Sequence, residues 1–292
     1  MASVAVVGAG AVGCTVLGWL AQDPYHRLTV LSRSKSPAIE LRTPDQVLHA
    51  EPQVAYEASE LVGCDWVLVT TKAYDSQVIA ASLSGLAGSG ARLAIMQNGV
   101  EHLEPFKAHF PIAQLLPVMV DIPSTRTGPG RVTQHRRGRM CVPRGALGSG
   151  FAALFRTTAI DVNESDDFKT EIWKKLCLNA AGAFSAVLLR PAVIARHVGV
   201  SRLMEQLIAE ASAVAQAEGA DLPEELAATI VEGYRRSPAG VNSLHADRLE
   251  GRPMEIDARN GVVVRLGRKH GIPTPVNEMV VSLLEASQLQ VD

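Results

Sequence analysis

An apolar run, Val4-Ala5-Val6-Val7, leads directly into Gly8-Ala9-Gly10-Ala11-Val12-Gly13, and a helix-like pattern follows. Between a strand and a helix, that spacing suits a dinucleotide pyrophosphate. Gly8 permits the tight turn, Gly10 lets the backbone approach the phosphates, and Gly13 lets the helix pack on its strand, with the helix amides facing the anion. The residues from Gly8 to Gly13 are therefore candidates for cofactor binding; a merely tight strand–helix turn is the plain alternative. The next strand-like run, Leu28-Thr29-Val30-Leu31, ends in Ser32-Arg33-Ser34-Lys35. A site for NAD usually has Asp or Glu there to accept from the ribose 2′-hydroxyl. Here a hydroxyl and two cations stand instead, and the planar fork of Arg33, with Ser32 beside it, fits a 2′-phosphate. NADPH is the expected cofactor.

Further along, Lys72 follows the apolar run ending Leu68-Val69-Thr70-Thr71, and Asn98 follows the run ending at Met96. Polar residues at strand ends of an open α/β sheet sit where ligands bind, and the Asn98 amide offers both a donor and an acceptor. Lys175 and Asn179 are four apart in a helical pattern and share a face. Taken alone, Lys175 is either a snorkelling surface residue or a general acid. Ser243 reads as a helix cap or a ligand contact, Glu255 as an N-terminal helix stabiliser or a functional carboxylate, and His245 as a helix-surface histidine or a rival acid.

These residues need elements to hold them. Runs at 4–7, 28–31, 66–70 and 92–96 read as strands, and segments around 11–21, 76–86 and 102–109 as helices. Such alternation predicts an α/β fold with a mostly parallel sheet, Rossmann-like in type. Residues 131–134 and 139–142 suggest an antiparallel hairpin added to that sheet. Beyond residues 160–162 the spacing turns helical: Ile172, Leu176 and Ala183 share one period, and so do Leu203, Leu207, Ile208 and Ala211. Two domains are expected, a dinucleotide-binding domain at 1–165 and an all-α domain at 166–292.

The chain has 28 Lys and Arg against 30 Asp and Glu, with only 4% aromatic residues, which argues against nucleic-acid binding. No apolar stretch reaches the ~20 residues of a bilayer span. Cys14, Cys64, Cys141 and Cys177 are scattered, without a C-x-x-C pair. Buried thiols in a reducing cytoplasm are the expectation.

Several motifs occur in a specific order: Gly8 to Gly13, Thr71-Lys72-Ala73, Asn98-Gly99, Trp173-Lys174-Lys175-Leu176 with Asn179, Ser243-Leu244-His245-Ala246-Asp247-Arg248, Glu255-Ile256-Asp257, Asn260-Gly261, and Gly271-Ile272-Pro273-Thr274-Pro275-Val276-Asn277. In this the sequence resembles the ketopantoate reductase (2-dehydropantoate 2-reductase) family over nearly its whole length. The resemblance implies an oxidoreductase that reduces the 2-oxo group of ketopantoate to pantoate with NADPH, on the route to pantothenate and coenzyme A. It implies a Rossmann-like domain and a helical domain with substrate in the cleft between them. By position it makes Lys175 and Glu255 catalytic, and Asn98, Asn179 and Ser243 substrate-binding. Lys72, Asn98 and Glu255 would also face the cofactor, and Arg33 its 2′-phosphate. The partner is a small 2-oxo acid, and a homodimer is left open. Where family members often carry a second Asn and a Pro after the first Asn, this chain has Ala183 and Phe184. An Asn sometimes found shortly before the serine is Gly240. These departures keep two alternatives: another small 2-oxo acid as substrate, or an NADP-binding sensor without turnover.

Overall fold

The computed structural model describes residues 1–32 and 38–289. It divides into two compact units, residues 1–97 with 101–168 and residues 98–100 with 169–292. The strands of the first unit are β1 (Ala2–Val7), β2 (His26–Leu31), β3 (Ile39–Arg42), β4 (Val47–Ala50), β5 (Gln53–Ala55), β6 (Trp66–Val69), β7 (Arg92–Ile95), β8 (Leu115–Pro117), β9 (Met119–Asp121), β10 (Ser124–Gly128), β11 (Arg131–Gln134), β12 (Gly138–Pro143) and β13 (Ile160–Ser165). Its helices are α1 (Ala11–Leu20), α2 (Ser76–Leu83) and α3 (Ala146–Leu154).

Six strands form one parallel sheet in the order β5-β2-β1-β6-β7-β8. This is the Rossmann-like α/β arrangement expected. The order reverses between β1 and β6, so the ligand crevice of such a sheet lies beyond their carboxyl ends. Val4 to Val7 and all of β6 are buried, which is why these strands are continuous apolar runs without alternation.

Helix α1 is buried from Gly13 to Leu20. A second sheet, β10-β11-β3-β4, supplies core partners for it, with Val16, Leu17 and Leu20 sharing a cluster with Leu41, Leu48 and Val132. A helix apolar on every side needs such cover. The indole Nε1–H of Trp19 donates to Gln134 Oε1 at 2.8 Å, which satisfies the polar atom of this buried ring.

Two sequence expectations fail in this unit. Residues 131–134 and 139–142 form no hairpin with each other. β11 pairs antiparallel with β10 and parallel with β3, while β12 pairs parallel with β13 and antiparallel with β9 in a third sheet. The reversal occurs instead at Gly128-Pro129-Gly130, where Gly130 takes φ +67°. The segment after β11 is held open, because Arg136 and Arg139 both donate to Asp121 on β9. Residues 102–109 form no helix either. The Leu103 carbonyl accepts from Phe106 and Lys107, but Pro105 supplies no N–H and the turns do not propagate.

The second unit contains α4 (Phe168–Ala181), α5 (Ala183–Leu188), α6 (Val198–Ala217), α7 (Leu226–Arg236), α8 (Ser243–Leu249), a π-helical turn at Asp257–Gly261 running into α9 (Val262–His270), and α10 (Pro275–Ala286). Ile172 and Leu176 are buried on α4, but the chain breaks at Gly182 and Ala183 opens α5. The start of α10 is held by Glu210 of α6, whose carboxylate accepts from Val276 N at 2.9 Å, Asn277 N at 3.0 Å and Asn277 Nδ2 at 2.8 Å. A carboxylate at a helix N-terminus also complements the helix dipole. Asn277, fully buried, in turn accepts from Asn260 Nδ2 at 3.0 Å. Among the described residues, no helix is long and apolar enough to cross a membrane.

Candidate active site

The glycine loop joins β1 to α1. Gly8 adopts φ +107°, and a Cβ there would stand 2.8 Å from Thr71 N; a Cβ on Gly13 would stand 2.0 Å from the Gly8 carbonyl oxygen. Neither position admits a side chain. The Gly8 carbonyl also accepts from Thr70 Oγ1 at 2.7 Å, which ties the loop to the end of β6. Gly10 differs, because a Cβ there would meet nothing within 4 Å. As N-cap of α1 it brings no capping side chain, and the first helical turn holds no acidic residue. The start of α1 thus has open space beside Gly10 and no carboxylate in its first turn, which fits a pyrophosphate. Ala9, Ala11 and Val12 are half-buried around this opening.

Gln97, at the end of β7, fastens the neighbouring loop. Its Nε2 donates to the Thr71 carbonyl and to Thr71 Oγ1, both at 3.1 Å, while Oε1 accepts from Ser76 Oγ at 2.9 Å. The Gln97 carbonyl accepts from His102 Nε2 at 2.6 Å. Since a carbonyl only accepts, Nε2 carries the imidazole proton. Burial pushes His102 down to about 4, although the bond to the Gln97 carbonyl opposes the shift. Lys72, half-buried, caps the short 3₁₀ turn Ala73–Asp75. Ser32 is half-buried after β2, with its N–H donated to the Ala55 carbonyl at 3.0 Å. Arg33, the expected 2′-phosphate contact, lies outside the described residues, as does Lys35.

In the second unit, Asn98, Asn179 and Glu255 come together. Asn179 Nδ2 donates to Asn98 Oδ1 at 3.1 Å, and Asn98 Nδ2 donates to Glu255 Oε2 at 2.9 Å. The carboxylate only accepts, so this chain of bonds fixes both amides: Asn98 must turn its NH₂ to Glu255 and its oxygen to Asn179. Glu255 is 5% exposed and stands just before Ile256, the N-cap of the π-helical turn. The Asn98-Gly99 pairing has a steric cause. Gly99 takes φ +106°, and a Cβ there would lie 3.0 Å from the Ala258 carbonyl oxygen. Lys175 lies half-buried one turn before Asn179 on α4, whereas the adjacent Lys174 pairs with Glu171 at 2.9 Å.

Ser243 is the exposed first residue of α8; the cap is Asn242, whose side chain accepts from His245 N at 3.1 Å. His245 is not a surface residue. It is 2% exposed and neither ring nitrogen has a hydrogen-bond partner among the described residues. Burial first, and then the Arg248 charge, hold it below the usual histidine range. A neutral ring with no proton acceptor beside it is a poor general acid.

Sequence reasoning missed two residues here. Gln97 is one of them, since a Gln at a strand end carries no local signal. Arg259 is 1% exposed, yet donates from Nη2 to the Asn179 carbonyl at 2.5 Å and from Nη1 to Ser243 Oγ at 3.4 Å. Its position four residues after Glu255 is the one cue that would have flagged it. The glycine-loop residues and Lys72 thus belong to the first unit, and Asn98, Lys175, Asn179, Ser243 and Glu255 to the second.

Residues 4–146 match the family model described as ketopantoate reductase PanE/ApbA, and residues 167–288 match its C-terminal counterpart. The chain belongs to the ketopantoate reductase family. A relative in this family, the 2-dehydropantoate 2-reductase of Caulobacter vibrioides, is 50% identical over 290 residues, spanning 99% of this chain and 100% of its own. Among solved ketopantoate reductase structures, that of a PanE/ApbA family member from Ralstonia eutropha superposes with a TM-score of 0.91 at 30% identity, covering 98% of each chain. A structure described as a dimeric ketopantoate reductase from Staphylococcus aureus gives a TM-score of 0.86 at 25% identity, again over 98% of each chain.

Proposed function

We propose that this protein reduces 2-dehydropantoate (ketopantoate) to pantoate with NADPH, the reaction that supplies pantoate for pantothenate and coenzyme A. The observation that carries the reading is the bonded series Asn179–Asn98–Glu255, with Lys175 one turn before Asn179. It presents amides of fixed orientation and a cation to a small polar substrate, in a chain whose glycine loop fits a dinucleotide.

The cofactor would be held by the loop from Gly8 to Gly13, by Ser32 and Lys72, and through its 2′-phosphate by Arg33. NADPH, once bound there, would supply the hydride that reduces the 2-oxo group. As negative charge grows on the C2 oxygen, the Lys175 ammonium stabilises it and delivers a proton from Nζ. Glu255 balances that ammonium and holds the Asn98 amide in place. The remaining hydrogen-bonding capacity of Asn98, Asn179 and Ser243 orients the acid. We also expect a homodimer, as the S. aureus relative is described. The cytoplasm is our proposed location, where the buried thiols of Cys14, Cys64, Cys141 and Cys177 stay reduced.

The test is NADPH oxidation with ketopantoate and a panel of small 2-oxo acids. Turnover of ketopantoate with kcat/KM above the rest of the panel supports the reading. Preference for another acid assigns that substrate instead, a result that Ala183 and Gly240 in place of amides would favour. No turnover with any acid overturns the enzyme assignment.

A further inference from the structure

Arg259 is a cation enclosed by protein beside two of the residues proposed to hold the substrate. It contacts the Ser243 hydroxyl and the Asn179 carbonyl, and its Nε has no partner among the described residues. Burying a guanidinium is costly, and an unfilled buried donor adds to that cost. Burial works against its charge, while the carboxylates of Glu255 and Asp247 support it. Arginine nevertheless stays ionised in proteins.

We propose that Arg259 is a positioning residue that makes the site selective for the carboxylate of its substrate, acting through Ser243. This rests on the reading of the site as a 2-oxo acid site. At 1% exposure the guanidinium does not itself meet the ligand; Ser243, which is exposed, does. A guanidinium only donates, so Ser243 Oγ accepts from it and turns its own O–H outward as a donor. A carboxylate only accepts, and a positive charge in a poorly polarisable interior lies directly behind that hydroxyl. Both features favour an anion over an uncharged group. The second arm of the fork engages the Asn179 carbonyl, which also accepts from Gly182 N at 3.2 Å, and so fixes the last turn of α4 that presents the Asn179 amide. A lysine has the charge without the planar fork and cannot hold both partners in this way. The device also suits a chain with Ala183 and Gly240 where relatives carry amide donors, because charge then supplies attraction that fewer neutral donors provide.

Steady-state kinetics with ketopantoate and its uncharged methyl ester test the idea on wild type, Arg259→Met, Arg259→Lys, Ser243→Ala and the Ser243→Ala/Arg259→Met double variant. Arg259→Met should raise KM for the acid by about tenfold or more, the size of one charge-assisted hydrogen bond, with kcat within about threefold. KM for the ester should rise by a clearly smaller factor, about threefold at most, because only the loosened Asn179 turn is lost to it, and Arg259→Lys should fall between wild type and Met. In the Ser243→Ala background, Arg259→Met should add less than about threefold, since residues acting as a unit are non-additive. Equal losses for acid and ester, or full additivity with Ser243→Ala, overturn the proposal. Should Arg259→Met fail to fold, the acid-to-ester ratio of Arg259→Lys decides, and a ratio equal to wild type overturns it. Wild-type turnover separates the two readings. Reduction of the acid without Arg259-dependent discrimination removes this inference alone, and no turnover with either compound removes both.

Discussion

Lys175→Ala tests the proposed acid directly. Removing a positioned proton donor should lower kcat by at least about 10²-fold. Affinity for NADPH, measured by fluorescence titration, should barely move, because the glycine loop lies in the first unit; near-normal kcat would remove Lys175 from the mechanism. His102 gives a prediction of another kind. Its pKa is about 4 in the folded protein against about 6.5 for an unperturbed histidine. Between those values the unfolded chain binds the extra proton, so the stability from neutral His102 is complete above about pH 6.5 and is lost as pH falls toward 4, by about 3 kcal/mol. Urea unfolding at a series of pH values should show a flatter acid limb for His102→Gln than for wild type; parallel limbs would mean that His102 is already solvated. Residues of this kind mark where sequence reading stops. Asn98, Asn179 and Glu255 were legible because ordered motifs carry them. Arg259 and Gln97 were not, because what defines them is burial and a partner far along the chain, 80 residues away for Arg259 and Asn179.

The element whose design was plainest in the sequence is α1 with its glycine loop. Its glycines make separable demands, and substitution should separate them. Gly13→Ala forces a methyl to within 2.0 Å of the Gly8 carbonyl oxygen, so the loop must shift and the helix must leave its strand. Overpacking of this kind costs typically 1–3 kcal/mol or more, and a clear drop in Tm is expected. Gly10→Ala adds a methyl to open space, and its Tm without cofactor should stay within a degree or two of wild type, as for substitutions outside packed regions. NADPH affinity should nevertheless fall, because the methyl stands where the backbone must approach the phosphates. If Gly10→Ala binds NADPH normally, the pyrophosphate does not sit at this helix end. The second sheet was harder to read. β3 and β4 have four residues each, too short for a secure alternating pattern, and the hairpin expected of residues 131–134 and 139–142 puts its turn at the polar His135-Arg136-Arg137-Gly138 instead of at Gly128-Pro129-Gly130. Local polarity is the wrong guide there, since Arg136 is bound to Asp121 and Arg137 to Asp161.

At the scale of the molecule, the two units are not two consecutive lengths of chain. Residues 98–100 group with the helical unit, although the chain before and after them belongs to the sheet unit. A fragment of residues 169–292 therefore lacks Asn98, and with it the bond that Asn98 donates to the buried Glu255 carboxylate and the one that it accepts from the Asn179 amide. Such losses cost about 1–3 kcal/mol each. Expressed alone, the fragment should melt earlier and exchange its amide hydrogens around α4 and the π-helical turn faster than the same segments do in the full chain. Equal protection in both would show that the three-residue excursion is dispensable.

That excursion also puts a clock on biogenesis. Asn98 and Glu255 are separated by 157 residues of chain, so one leaves the ribosome long before the other exists. At about 5–20 residues per second, the delay is roughly 8–30 s. Through that interval the sheet unit can finish folding while its Asn98-Gly99-Val100 tip waits for a partner still being synthesised. A bond that arranges the chemistry thus waits for the last part of the chain, and a nascent chain stalled short of residue 255 would carry a complete glycine loop with no organised place for an acid.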